Sequence, residues 1–197
     1  MRDRATRPCS RRATALRPGA LLVLSLVMVA AAARHVAAGA DLEYPVKAEF
    51  LERFTHFIRW PSTSFPRVDS PFVVCVIGKN PFGTYLADLI GRRRIQSRRT
   101  ELRSISETAE IDHCNLLFIA SSESRRVATI LTYTSGRPIL TVGDTEGFAS
   151  AGVLVNLYIH ASNVRFEINV RAVKNSGLKF SSKLLKLARL VAAEPPP

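Results

Sequence analysis

The segment Pro71–Gly83 has the order of features found around phosphate-binding loops. A strand-like run from Val73 to Ile77 is followed by Gly78-Lys79-Asn80-Pro81-Phe82-Gly83 and then by a helical pattern. In α/β proteins, a glycine turn between a strand and a helix is a common ligand site. A P-loop, however, needs a lysine and a hydroxyl residue directly after its second glycine, and Lys79 follows the first one. We therefore interpret the segment as a structural turn, without a phosphate or dinucleotide cofactor.

The remaining reactive side chains form no catalytic or metal-binding motif in the sequence. His56, His113 and His160 lie far apart, and H-E-x-x-H, C-x-x-C and G-x-S-x-G are absent. Asp144 follows a strand-like run, as a site at the carboxyl edge of a sheet would, but a lone aspartate there usually serves the turn. The sequence thus predicts a protein that is not an enzyme and has no cofactor or metal.

Residues 1–40 have the pattern of a secretory signal peptide. Six arginines precede residue 20, the uncharged run Ala20–Ala33 follows, and Ala38-Gly39-Ala40 matches a cleavage site. The alternative is a retained membrane anchor, but a membrane span needs about 20 apolar residues, and sixteen residues separate Arg17 from Arg34. We expect export to the periplasm with cleavage near Ala40, by the general or the twin-arginine route.

The strongly basic composition is largely a property of this N-terminal segment. The whole chain carries 28 basic and 16 acidic residues, a formal charge of +12. Removal of residues 1–40 takes away seven basic residues and one acidic residue, which leaves about +6. The remaining arginine clusters, Arg92–Arg94 and Arg98–Arg99, have no interleaved aromatic residues for base stacking. We therefore exclude nucleic acid as the partner.

The cysteines fit an exported protein. Cys9 lies in the predicted signal peptide, which leaves Cys75 and Cys114. An even number of cysteines in an oxidising compartment favours a disulfide. Two reduced cysteines, buried as small apolar side chains, are the alternative.

Periodicity predicts alternating strands and helices after residue 41. Pro45–Trp60 carries an apolar stripe at helical spacing, and a loop with three prolines follows it. The predicted strands are 72–77, Thr100–Ile105, Asn115–Ala120 and Pro138–Val142, and the predicted helices between them are Phe82–Ile90 and one that starts at Ser121 or Ser122 and ends by Gly136. This alternation is typical of a mostly parallel sheet.

The C-terminal third has a different pattern. Gly152–Ile159 and Val164–Val170 are predicted strands separated by a hairpin-length loop. In the second, apolar residues alternate with Arg165, Glu167 and Asn169, which predicts one solvent-facing side and an antiparallel pair at the edge of the sheet. A short helix and a last helix, capped by Ser181 and continuing to Val191, complete the chain.

Together these elements predict an α/β fold. We expect a three-layer, Rossmann-like sandwich with a mostly parallel sheet, a C-terminal antiparallel hairpin and flanking helices. The predicted organisation is a signal peptide at 1–40, one domain at 41–193 and a proline-rich tail at 194–197.

From about Tyr44 to Leu190 the chain resembles the YfiR family of exported bacterial proteins. The matching motifs are Tyr44-Pro45-Val46-Lys47-Ala48, Phe57-Ile58-Arg59-Trp60-Pro61, Val76-Ile77-Gly78 with Asn80-Pro81-Phe82-Gly83, Cys114 before Leu117-Phe118-Ile119, Leu140-Thr141-Val142-Gly143-Asp144 with Gly147-Phe148, Val164-Arg165-Phe166-Glu167-Ile168-Asn169, and Gly177-Leu178-Lys179 with Ser181-Ser182-Lys183-Leu184-Leu185. Each motif is short, but the combination is specific.

The resemblance implies a periplasmic regulator without catalytic activity. Family members are thought to bind the periplasmic sensor part of a membrane diguanylate cyclase, which lowers cyclic-di-GMP and biofilm formation. The resemblance also implies a homodimer, a link to an outer-membrane lipoprotein, and a family disulfide at Cys75 and Cys114. A second bridge of some members is placed around Phe148–Asn156, where this chain has no cysteine.

The sequence offers two candidate binding sites. The polar side of the second hairpin strand, Arg165, Glu167 and Asn169, is the predicted partner-binding surface, and an ordinary solvated strand face is its alternative. A periplasmic small-molecule sensor is the second functional hypothesis. It places a ligand at the carboxyl edge of the sheet, near Gly78–Gly83 and Gly143–Gly147.

Overall fold

The computed structural model describes residues 42–192. The predicted signal peptide and the proline-rich tail lie outside this range. The helices are α1 (42–57), α2 (Tyr85–Gly91), α3 (Val127–Thr134), α4 (Phe148–Ala151), α5 (Val170–Asn175) and α6 (Ser182–Leu187). The strands are β1 (Ile58–Arg59), β2 (Phe72–Ile77), β3 (Thr100–Ile105), β4 (Leu116–Ile119), β5 (Leu140–Gly143), β6 (Val155–His160), β7 (Asn163–Asn169), β8 (Lys179–Phe180) and β9 (Arg189–Val191). Short 3-10 turns span Ser62–Ser64, Thr108–His113 and Ser121–Arg126.

Seven strands form the central sheet, in the order β3-β2-β4-β5-β6-β7-β9. Every neighbouring pair is parallel except the β6–β7 hairpin. All residues of β2, β4 and β5 are buried, as expected for strands covered on both faces. β1 and β8 form a separate two-stranded antiparallel sheet.

Helices cover both faces of the sheet. On one face, α1, α2 and α6 pack through Phe54, Leu86 and Leu184 onto one set of strand side chains. On the other face, Ile130 of α3 and Phe148 of α4 pack onto the opposite set, which includes Cys75. The fold is therefore the predicted three-layer α/β sandwich, with a mostly parallel sheet and a C-terminal hairpin.

The hairpin itself is not at the edge of the sheet, and this prediction was wrong. β9 pairs in parallel with β7, with Ile168 opposite Leu190, so β7 is an inner strand. The apolar pattern of the last segment predicts a helix that continues to Val191. In the structure, α6 ends at Leu187, and the extended residue Ala188 leads into β9. Pairing with β9 satisfies backbone N–H and C=O groups of β7 that an edge strand would leave unpaired, and this outweighs the local helical pattern.

The helix starts were predicted with mixed success. Ser181 caps α6 as predicted, because its hydroxyl accepts a hydrogen bond from the Leu184 amide. Ser121 and Ser122 do not cap α3. The Ser122 hydroxyl instead accepts a hydrogen bond from the Lys79 amide and fixes the turn after β2. Gly78 in this turn has φ +90°, and a Cβ there would meet Ser122 and Glu123, which explains the glycine.

No helix within residues 42–192 is long and apolar enough to cross a membrane.

Candidate functional site

The two remaining cysteines form a disulfide. It joins Cys75 in β2 to Cys114, two residues before β4, with 5.8 Å between the Cα atoms. Both cysteines are buried, and β2 and β4 are paired neighbours. The bond therefore links the two strands at the centre of the parallel sheet, near the edge at which they begin. We call this side the amino edge.

The predicted partner-binding residues do not share a solvent-facing surface. Arg165 is exposed, but Glu167 and Asn169 are buried, because β9 and neighbouring helices cover that end of β7. Asn169 accepts a hydrogen bond from the Ala172 amide at the start of α5 and donates one to the Ala149 carbonyl. Glu167 binds Arg189. The prediction of a solvent-facing side is therefore wrong for Glu167 and Asn169.

Glu167 instead lines a cavity of about 710 Å³ at the other end of the strands, beyond the carboxyl ends of the parallel strands. We call it the carboxyl-edge cavity. Its charged lining residues are Glu43, Lys47, Asp144, Glu146, Glu167 and Arg189. Of the two segments predicted to lie near a ligand, Gly143–Gly147 lines the cavity and Gly78–Gly83 does not.

A buried lysine dominates one wall of this cavity. The side chains of Lys47 and Asp144 are only 4% and 3% exposed, and Lys47 Nζ lies 2.7 Å from Asp144 Oδ2 and 2.5 Å from Glu43 Oε1. It also lies 4.7 Å from the Tyr44 ring centroid. Burial by itself lowers the pKa of Lys47, but the hydrogen bonds to Asp144 and Glu43 outweigh it, so the pKa is raised.

Glu167 and Arg189 form the opposite wall. Arg189 Nε donates to Glu167 Oε2 at 3.0 Å, a second guanidinium nitrogen contacts the same oxygen, and the guanidinium lies 4.9 Å from the Tyr158 ring centroid. The hydrogen bond to Glu167 raises the pKa of Arg189. Asn156 Nδ2 bonds Glu167 Oε1 at 3.2 Å. Asn156 Oδ1 is buried and has no hydrogen-bond partner within residues 42–192.

Backbone geometry brings these groups together. Gly143 of β5 lies opposite Asn156 of β6, and a Cβ at Gly143 would lie 2.5 Å from the Phe148 ring. Glycine therefore allows α4 to pack against the end of β5, directly beyond Asp144. The sequence signal was the turn Gly143-Asp144, but Lys47, Asn156 and Arg189 were missed because their partners are distant in the chain.

The cavity has the chemistry of a binding site. Four carboxylates and two basic groups give its lining a formal charge of −2. Within the described residues, no group of three or more His, Cys, Asp or Glu is placed to hold a metal ion. Glu43, Asp144 and Glu167 are paired with Lys47 or Arg189, so the arrangement favours recognition of a polar or cationic group over acid–base chemistry.

An apolar groove lies along α1 and α6. Its lining includes Val46, Phe50, Phe57 and Leu187, and it has a volume of about 520 Å³. Leu187 is 71% exposed. Glu49 and Arg53, one helical turn apart on α1, also line this apolar groove.

Comparison with known proteins identifies the family of the chain. One solved structure, described as the ABC domain in complex with L-Trp from Streptococcus pneumonia, has a TM-score of 0.45 and 9% identity to this chain. The match covers 61% of this chain and 55% of that structure, so the chain spans little more than half of its length. The model of the YfiR/HmsC-like family matches residues 44–189, which confirms the resemblance found in the sequence motifs. The chain therefore belongs to the YfiR/HmsC-like family.

Proposed function

We propose that this protein is a periplasmic negative regulator that binds the periplasmic sensor part of a membrane diguanylate cyclase. The YfiR/HmsC-like family is a regulatory and non-catalytic family, and the match over residues 44–189 is the observation that carries the proposal. By holding the cyclase inactive, the protein lowers cyclic-di-GMP and biofilm formation. The paired charges at the carboxyl edge support a binding role.

The proposal is tested by deletion and by pull-down of the exported protein. Deletion is expected to raise cyclic-di-GMP, and the pull-down is expected to recover an inner-membrane protein with a diguanylate cyclase domain. Unchanged cyclic-di-GMP together with no such membrane protein in the pull-down would refute it. An outer-membrane lipoprotein in the same pull-down would identify the second partner that we propose.

Arg165 is the member of the predicted partner surface that is exposed. We expect Arg165→Glu to weaken binding to the cyclase, because charge reversal places a repulsive group at the contact. Lys183→Glu is the matched control, since Lys183 is an exposed basic residue on α6. Equal binding by both variants would remove Arg165 from the interface.

We further propose a homodimer that buries the apolar groove. In an antiparallel, two-fold pairing of α1 with its copy, Glu49 lies opposite Arg53 of the second copy, and Val46 lies close to Phe57 of that copy. The same surface is then complementary to itself in charge and apolar character, as an isologous interface requires. Its exposed apolar side chains would be removed from water.

A charge-swap experiment tests this dimer. Arg53→Glu places like charges opposite each other and is expected to give monomers in sedimentation velocity, whereas Glu49→Arg/Arg53→Glu restores opposite charges and the dimer. A wild-type monomer at micromolar concentration, or an unchanged dimer in the single variant, would contradict the proposed pairing.

The carboxyl-edge cavity favours a second candidate function, a small-molecule sensor. The sequence predicts a ligand near Gly143–Gly147, and a polar cavity of about 710 Å³ lies there. Its formal charge of −2 favours a cationic amine. Putrescine, a diamine, is expected to raise the unfolding temperature of the protein, and Glu167→Gln is expected to reduce the shift. No shift at millimolar putrescine would count against this function.

A further inference from the structure

A second cavity lies at the amino edge, beside the disulfide. It has a volume of about 390 Å³, within the range of small-molecule sites. We call it the amino-edge cavity. Its apolar walls are formed by Val73, Cys114, Ile139 and three prolines, Pro66, Pro71 and Pro138. Prolines and a disulfide restrict backbone motion, so these walls are already in place before a ligand binds.

Two arginines from opposite sides of the disulfide line the amino-edge cavity. Arg103 lies on β3, opposite Cys75, and Arg137 lies in the turn before β5. Because β2 and β4 lie between β3 and β5, the two arginines flank the strand pair that the disulfide joins. Their side chains are 43% and 42% exposed.

Each guanidinium is held in place and still has free hydrogen-bond donors. Arg103 Nη2 lies 2.9 Å from Glu101 Oε2. Arg137 pairs with Asp112 through Nη1 and stacks 4.5 Å from the Tyr133 ring centroid. A guanidinium has five N–H donors, and one carboxylate uses at most two of them. Both arginines therefore keep donors for a further anionic group.

The wall also contains a polar atom without a partner. Ser64 Oγ is buried and forms no hydrogen bond within residues 42–192. A buried hydroxyl without a hydrogen-bond partner is destabilising, so a ligand group that reached it would gain a hydrogen bond there.

The charge of the lining limits the class of ligand. Arg103 and Arg137 are opposed by Asp112, so with a neutral His113 the lining has a formal charge of +1. That charge matches a single carboxylate better than a doubly charged phosphate. The apolar walls match a hydrocarbon or aromatic body next to the carboxylate.

From these observations we propose that the amino-edge cavity binds a small organic monocarboxylate with an apolar body. The carboxylate lies against Arg103 and Arg137, and the body packs on the wall formed by the prolines and Cys114. This site is separate from the carboxyl-edge cavity and does not depend on the regulator function proposed above.

Calorimetric titration of the purified protein, with its disulfide intact, tests the proposal. Phenylacetate and hexanoate are the probes, and phenylacetamide is the neutral control for phenylacetate. We expect phenylacetate or hexanoate to bind and phenylacetamide to bind at least tenfold more weakly. Arg103→Gln and Arg137→Gln should each weaken carboxylate binding about tenfold or more, the loss expected for a charge-assisted hydrogen bond.

Arg92→Gln is the matched control, because Arg92 is an exposed arginine outside both cavities. It should leave carboxylate binding unchanged, and all three variants should keep the unfolding temperature of the parent protein. The proposal is overturned if neither carboxylate binds at millimolar concentration. It is also overturned if phenylacetamide binds as well as phenylacetate, or if Arg103→Gln and Arg137→Gln bind like the parent.

Discussion

The two edges of the central sheet are held together by different kinds of interaction. At the amino edge, the Cys75–Cys114 disulfide joins β2 to the start of β4. Asn115 reinforces it, since its Oδ1 accepts a hydrogen bond from the Val73 amide at 2.8 Å and its carbonyl accepts one from Leu140 at 2.9 Å. At the carboxyl edge, the buried Lys47–Asp144 pair joins α1 to the end of β5 over 97 residues of sequence.

Because of this difference, the two edges should respond to different conditions. A disulfide is broken by a reductant, whereas a buried ion pair depends on both partners remaining charged. Reduction should therefore loosen the amino edge, and loss of charge should loosen the carboxyl edge. The following experiments test this contrast.

Removal of the disulfide should have the largest effect. Cys75 and Cys114 are separated by 39 residues, and the chain-entropy relation for a loop of this length gives about 4 kcal/mol of stabilisation. Cys75→Ala/Cys114→Ala should lower the free energy of unfolding by about that amount in urea titrations. Reductant should destabilise the parent protein similarly and leave the double variant unchanged.

Hydrogen exchange locates the effect of this change. Amides of β2 and β4 should lose protection in the double variant beyond the general loss of stability, while those of α4 and β9 should follow the general loss alone. Uniform loss in all elements would show that the two edges are one cooperative unit and would remove the distinction between them.

The Lys47–Asp144 pair should give the next largest effect. Lys47→Met keeps much of the side-chain volume but leaves Asp144 buried beside Glu43 without a positive partner. Loss of one partner from a buried ion pair costs about 3 kcal/mol or somewhat more, and urea titration measures this. Lys186→Met is the matched control; Lys186 is exposed on α6, so its loss should change stability by less than about 0.5 kcal/mol. Equal stability of the two variants would show that the pair contributes little.

The same contrast explains how much of the structure the sequence predicts. The buried strands β2 and β4 are evident from short apolar runs, because strands covered on both faces need apolar residues at every position. The disulfide was considered from cysteine number and compartment. Both inferences rest on local composition, and both concern the amino edge and the centre of the sheet.

The carboxyl edge depends on contacts that no local pattern contains. Lys47 and Asp144 are paired across 97 residues, and Glu167 has an alternating pattern that normally indicates a solvent-facing side. Glu167 is buried because β9 pairs with β7 and brings Arg189 to it. Whether a strand is an edge strand depends on what pairs beside it, which the strand's own residues do not determine. The turn Gly143-Asp144 therefore locates the candidate site in the sequence, but most residues that line the carboxyl-edge cavity cannot be predicted from it.

The pH dependence of stability gives the smallest expected effect. The folded-state pKa of Lys47 is raised above its ordinary value of 10.5, so its stabilising contribution is complete below that pH and is lost as pH rises through the folded pKa. Tyr44, beside it, has a pKa raised from 10.0 by burial and by Asp144, which also costs stability in alkali. Alkali should thus loosen the carboxyl edge, and Lys47→Met should show a weaker alkaline loss of stability than the parent.

Acid should act on the 3-10 turn between β3 and Cys114, through Glu110. Its Oε2 accepts hydrogen bonds from the amides of Glu107 and Ser106 at 3.0 and 3.1 Å, which lowers its pKa below 4.5. The stabilisation is complete above pH 4.5 and is lost as pH falls through the lower folded-state value. Glu110→Gln should therefore lose less stability in acid than the parent protein and the same amount in alkali. The unfolding temperature from pH 3 to 11 measures both. A change in the alkaline limb instead would show that Glu110 and Lys47 are coupled electrostatically.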